Sequence, residues 1–255
     1  KDQYTDEQVE QMYPILVELG FAGERLPEPG SKFSETVLLG ATTPAIMRRI
    51  GVVEHAREIG VDVGKEYYLF GERPRMDKDG GNDELLSSEG RFAGNDVSDN
   101  IWANNVLKPA LEGETRVATE MDFGLLALAK VIKGDMKADR IGLPIAAING
   151  EVTAAGEPLA NNDMPLRETA YRHFSTEDGR DITVINGRAV SRGENRPPRP
   201  TTTSTIEEWA DISDLEEGAS VLIISTNPHA DRQLKAVQEV LDKRGRTDVK
   251  LSLAA

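Results

Sequence analysis

Apolar and polar positions along this chain switch repeatedly between two patterns. Short unbroken apolar runs at Thr36–Leu39, Tyr67–Phe70 and Val221–Ile224 predict strands covered on both faces, and Val249–Leu253 predicts a last one. Between them apolar residues recur at helical spacing: Ile46, Met47, Ile50 and Val53, then Leu125, Leu126, Leu128, Ala129 and Ile132, then Leu234, Val237 and Leu241. A further helix opens on the capping box Thr5-Asp6-Glu7-Gln8 and carries Val9, Met12, Tyr13 and Leu16, with Pro14 expected to kink or shorten it. Strands alternating with helices predict an α/β fold, a Rossmann-like and mostly parallel sheet with helices on both faces.

The stretch 141–192 departs from this rhythm. Asn149-Gly150 and Asn186-Gly187 each lie between extended flanks, the signal of a tight hairpin, and a helix is expected around Leu166–Phe174. We read residues 1–255 as a single α/β domain with 141–192 as an inserted, β-rich hairpin region. His173 falls in it with no ligand-spaced partner, so a surface position is expected.

Ligand chemistry in such a fold gathers where strands end and helices begin. After the first strand, Gly40-Ala41-Thr42-Thr43-Pro44 combines an accessible backbone with a predicted N-cap at Thr43 and proline at the first helical position. That form suits an anion and serves equally as a plain strand–helix turn, with Arg48, Arg49 and Arg57 off the helix's apolar stripe. Before the second-to-last strand, Thr201–Thr205 gives five consecutive hydroxyls leading into Ile206-Glu207-Glu208-Trp209. A helix cap needs one or two of them, so the surplus points to a ligand. After that strand, Ser225-Thr226-Asn227-Pro228 delivers His229 and Arg232 to one face of the next helix near its positive end. There a neutral histidine can exchange a proton and an arginine can hold phosphate or carboxylate, against the plainer reading of a capping histidine and a surface arginine. Glu120 opens another helix, where it either serves the helix dipole or meets a substrate.

Composition narrows the classes. With 30 basic and 44 acidic residues the formal charge is −14, which makes nucleic acid and anionic membranes poor partners. No apolar run approaches the roughly 20 residues that span a bilayer, so no membrane contact is expected within this segment. Its first residue is Lys1, and the compartment stays open, cytoplasmic or exported behind an upstream signal or anchor. With no cysteine, thiolate chemistry is excluded, and three histidines cannot build a histidine-rich metal site. Asp77, Asp79, Asn82, Asp83 and Glu84 lack the spacing of a calcium loop, so a solvated loop or lid is expected there. No redox cofactor fingerprint appears and the cofactor stays unknown; no metal ligands are assigned, with a carboxylate-bound Mg²⁺ left open.

Taken in order, these segments resemble the ElyC/SanA/YdcF-like family. An apolar strand ending in Leu39-Gly40 with a small-residue turn is similar to the family's opening, and Arg48 and Arg49 to its arginine-bearing helix. Ser204-Thr205-Ile206-Glu207-Glu208 resembles its Asn-Thr-x-Glu-Asn stretch, with Ser204 and Glu208 in place of asparagines, and Thr226–Arg232 resembles its Ser/Thr-x-x-His-x-x-Arg segment. The resemblance covers Thr36–Phe70 loosely and Thr201–Leu241 better. It implies a Rossmann-like fold, one cleft lined by the matched residues, a nucleotide-like ligand and a place in bacterial envelope metabolism.

Three classes of function follow. The first is a protein that binds a small anionic or nucleotide-like metabolite and acts as a hydrolase or group-transfer enzyme. Gly40, Thr42, Thr43, Arg48, Thr205, Thr226, Asn227 and Arg232 would then bind the ligand, with His229 and Glu207 catalytic. The second is a non-catalytic sensor or envelope-associated binding module using the same cleft. The third is an oligomeric scaffold assembled through the hairpin region.

Overall fold

The computed structural model describes residues 5–18, 23–41, 43–71, 170–176, 178–187, 190 and 200–255, together with the helical residues Glu120, Met121, Gly124, Ala127 and Leu128. Its elements run α1 (Asp6–Glu18), β1 (Glu35–Leu39), α2 (Thr43–Glu58), β2 (Lys65–Gly71), β3 (Ala170–Ser175), β4 (Asp181–Gly187), α3 (Thr202–Ile212), β5 (Ser220–Ile224), α4 (Ala230–Lys243) and β6 (Lys250–Ala254). The strands form one sheet in the order β3-β4-β2-β1-β5-β6. Five are parallel, and β3 joins antiparallel to β4 at the edge. The parallel strands, numbered along the chain, lie as 3-2-1-4-5, the Rossmann-like order, with the direction of winding reversed between β1 and β5.

Side-chain alternation sorts the core into two layers. Val37, Leu39, Tyr67, Leu69, Val221 and Ile223 face α3 and α4 and pack on Ile206, Trp209, Val237, Val240 and Leu241. From the other pleat Glu66 and Tyr68 face α2, whose Ile46, Ile50 and Val53 are fully buried. Phe70 shares that pleat and packs so closely on Gly124 that a Cβ there would lie 2.5 Å from the ring. Both faces of the central strands are therefore covered, which is why β1 and β5 show no polar alternation, whereas the edge strand β6 alternates.

Two buried polar clusters stiffen these layers. Trp209 Nε1 donates to Glu35 Oε2 at 2.9 Å, and burial pushes the Glu35 carboxyl above its ordinary range. On the opposite face Glu66 accepts from Arg180 Nε (2.9 Å) and Nη2 (2.7 Å) and from the Tyr68 hydroxyl (2.7 Å), while Arg180 also meets Glu54 of α2 at 2.9 Å. That cluster ties β2, the entry to β4 and α2 together.

The predicted capping box forms: Thr5 N donates to Gln8 Oε1 (2.8 Å), and Gln8 N to Thr5 Oγ1 (3.3 Å). α1 carries Pro14 inside its span and continues to Glu18, and α2 opens at Thr43 itself. An antiparallel hairpin does form within 141–192, but not where the Asn-Gly dipeptide placed it. Asn186 and Gly187 both belong to β4, which pairs parallel with β2, so this strand is part of the central sheet. The chain turns instead at Thr176–Arg180, where Gly179 takes φ +84°, a conformation that favours glycine, and Thr176 Oγ1 accepts from Arg180 N (2.9 Å). The helix expected around Leu166–Phe174 is likewise corrected, since Ala170–Ser175 is strand β3. The Asn149-Gly150 hairpin, the acidic loop after Met76 and the Arg192–Arg199 segment lie outside the described residues. Among the described residues no helix is long and apolar enough to cross a membrane.

Candidate functional site

β1 has β2 on one side and β5 on the other, so the chain leaving β1 and the chain leaving β5 part company at the carboxyl edge. A crevice opens between them in sheets of this order. Arg49 fills its floor. This α2 residue is 1 % exposed, and its guanidinium donates to the carbonyls of Leu39 and Gly40 (3.0 Å to the latter), to Thr226 Oγ1 (3.1 Å) and to Gln233 Oε1 (3.1 Å). Ser225 Oγ also donates to Gln233 Oε1. A single cation thus joins the ends of β1 and β5 to the first turn of α4.

Among the described residues, three hollows border this clasp. The first is the most closed of them, lined by Gly40, Gly71, Glu120, Pro200, Thr201, Thr202 and Thr205 among others, with about 10 Å³ of free space, about what one water molecule needs. The second is an open cleft of about 350 Å³ lined by Thr202, Thr203, Arg232, Gln233, Lys235, Ala236 and Glu239. Thr202 borders both. The third, of about 490 Å³, lies between α1 and α2 beside Tyr13, Glu24, Arg48, Thr226 and Asn227. Its far wall is residues 23–25, fastened by the Asn227 Nδ2 bond to Gly23 O (3.1 Å) and by paired backbone bonds between Arg25 and Ala255 (2.9 and 3.0 Å).

The structure distributes the predicted site residues among these hollows. Gly40 and Thr205 border the first, Arg232 the second, and Arg48, Thr226 and Asn227 the third. Thr201 caps α3 through a reciprocal pair of bonds with Ser204 (3.0 and 3.1 Å), and Thr205 Oγ1 donates back to the carbonyls of Thr201 and Thr202. The hydroxyls of Thr202 and Thr203 are the surplus left at this positive helix end. His229 is the N-cap of α4, exposed, with its ring making no capping bond. Glu207 is not at the rim: it lies more than a turn into α3, and its carbonyl accepts from Arg244, the C-cap of α4 at the other end of that helix. His229 and Glu207 are therefore not brought together. Thr43 opens α2, and Thr42 lies outside the described residues.

Gln233 and Lys235 are site residues that sequence reasoning passed over, and Arg49, expected off the apolar stripe of its helix, is corrected to a buried residue within it. The signal for Arg49 was present. It stands three residues after Ile46 and four before Val53, inside the apolar stripe, where a charged residue needs a buried partner set.

The chain matches no protein-family model, and comparison with curated proteins and with solved structures finds no significant similarity.

Proposed function

We propose that this protein binds a small anionic or nucleotide-like molecule at the carboxyl edge of its sheet, and that hydrolysis or group transfer is the chemistry performed there. The observation that carries this reading is that Thr202 lines both an open cleft holding Arg232, Lys235 and Glu239, the last 3.9 Å from Lys235, and a small hollow bearing a carboxylate, Glu120. The hydroxyls of Thr202 and Thr203 and the positive end of α3 complement an anion in that cleft. Kinship with the ElyC/SanA/YdcF-like family, with its envelope-related metabolism, belongs to the same proposal. Its support is the Rossmann-like strand order and the position of the matched Gly40, Thr205, Thr226 and Arg232 along one rim.

Isothermal titration with inorganic phosphate, AMP and a sugar phosphate tests it. Saturable binding that weakens about tenfold or more in Arg232→Ala is expected, the usual worth of a charge-assisted contact. Absence of binding by all three, or indifference to Arg232, would refute the reading. A binding module without turnover is the second reading, favoured by the separation of His229 from Glu207. It predicts unaltered ligand after prolonged incubation with the protein.

A further inference from the structure

We infer that Glu120 is the catalytic carboxylate, a general base that activates one water molecule for hydrolysis of a phosphate ester. This rests on the anion-binding reading above and adds to it the reacting group and the bond broken. Glu120 is 1 % exposed and belongs to a helix whose described residues, Glu120, Met121, Gly124, Ala127 and Leu128, are all buried. Packing of Gly124 on the Phe70 ring sets that helix against the carboxyl end of β2. The Glu120 carboxylate then lies over the end of β1, so close to Gly40 that a Cβ at this position would overlap Oε1 and stand 2.5 Å from the Leu69 carbonyl. Only glycine at position 40 admits the carboxylate there.

The hollow this creates is water-sized, and its chemistry is a carboxylate facing the Thr201–Thr205 turn. A sugar or a base does not fit inside it; a water molecule does. Thr202 also lines the cleft of Thr203, Arg232, Lys235 and Glu239, where the phosphoryl group would have to sit with its phosphorus turned toward that water. As the water oxygen bonds to phosphorus, Glu120 takes its proton. The ester P–O bond breaks, its electron pair leaves with the alcohol oxygen, and the proton passes to that oxygen or to solvent. The products are an alcohol and inorganic phosphate. A carboxylate within hydrogen-bond reach of the proton it removes contributes about 10²–10⁴ in rate.

The test compares wild type, Glu120→Gln and Glu120→Asp in three measurements: phosphate affinity, melting temperature, and release of p-nitrophenol from p-nitrophenyl phosphate across pH. Wild type should bind phosphate and turn over the ester. Glu120→Gln, which keeps shape without basicity, should lose about 100-fold or more of kcat and the acid limb of the pH profile, while phosphate affinity stays within about threefold. Glu120→Asp, which keeps a carboxylate, should retain more activity than Glu120→Gln. The opposite order, with Gln superior to Asp and melting temperature following activity, would make Glu120 structural and overturn the inference. Phosphate binding without any p-nitrophenol release by wild type overturns it too and leaves the anion-binding reading standing. Failure of wild type to bind phosphate removes both.

Discussion

Replacing Arg49 by methionine puts the clasp to the test. The side chain is 1 % exposed and donates to Leu39 O, Gly40 O, Thr226 Oγ1 and Gln233 Oε1. These acceptors do not suffer equally. Thr226 and Gly40 are part-exposed and regain water, and Gln233 Oε1 keeps Ser225 as a donor. Leu39 O, at the buried end of β1, loses a charged donor, and Gln233 loses one of two. Each buried group left short of a partner costs about 1–3 kcal/mol. Methionine recovers part of this through apolar contact and through the relieved desolvation of the guanidinium. The net loss should be about 2–4 kcal/mol, a substantial share of the roughly 5–15 kcal/mol that holds a domain folded. Urea denaturation followed by circular dichroism reads it as a lowered midpoint at unchanged slope. Arg49→Lys, with charge but without a planar fork, should fall between wild type and methionine. A loss below about 1 kcal/mol for Arg49→Met would mean that the switch point is held by the sheet alone, and the clasp has no energetic meaning.

Two further perturbations probe the frame of the site. A Cβ at Gly187 would overlap Thr205 Cγ2 and lie 3.2 Å from the Phe70 carbonyl, so Gly187→Ala should cost about 1–3 kcal/mol in urea unfolding. Adding Thr205→Ser removes the clashing methyl and should restore most of that loss; additive penalties would refute the contact. Burial raises the Glu35 carboxyl in the folded state, so the folded protein holds this proton more tightly than the unfolded chain. Its favourable contribution is complete below the unfolded value of about 4.3 and is lost as pH rises through the raised folded value. Glu35→Gln does not titrate, so from pH 4 to 8 it should gain stability relative to wild type; parallel unfolding midpoints would contradict the assigned direction.

The fold was legible because unbroken apolar runs admit few alternatives to a doubly covered parallel sheet, and β1, β2 and β5 lie where those runs stand. β4 was hidden by its ending. Asn186-Gly187 carries the local chemistry of a tight turn, but Gly187 is glycine because Thr205 and Pro200 approach the end of the strand. Gly179, in the less conspicuous Asp178-Gly179-Arg180, makes the turn. At the site, Thr201 follows from capping chemistry, whereas His229 stands at the N-cap without a capping bond and Glu207 is not at the rim: sharing a helix with the threonine cluster did not place it there. Nor does local spacing show that Arg49 reaches Gln233, 184 residues away, a meeting fixed by the strand order.

The central claim, that one rim of the sheet receives an anion, is tested most directly by mapping amide chemical shifts while phosphate is titrated into ¹⁵N-labelled protein. The account predicts saturating shifts at Gly40, Thr202, Thr203, Thr226 and Arg232, all at the carboxyl edge. Shifts confined to the opposite edge, at Gly64, Gly179 and Gly218, or none at any concentration, would contradict it.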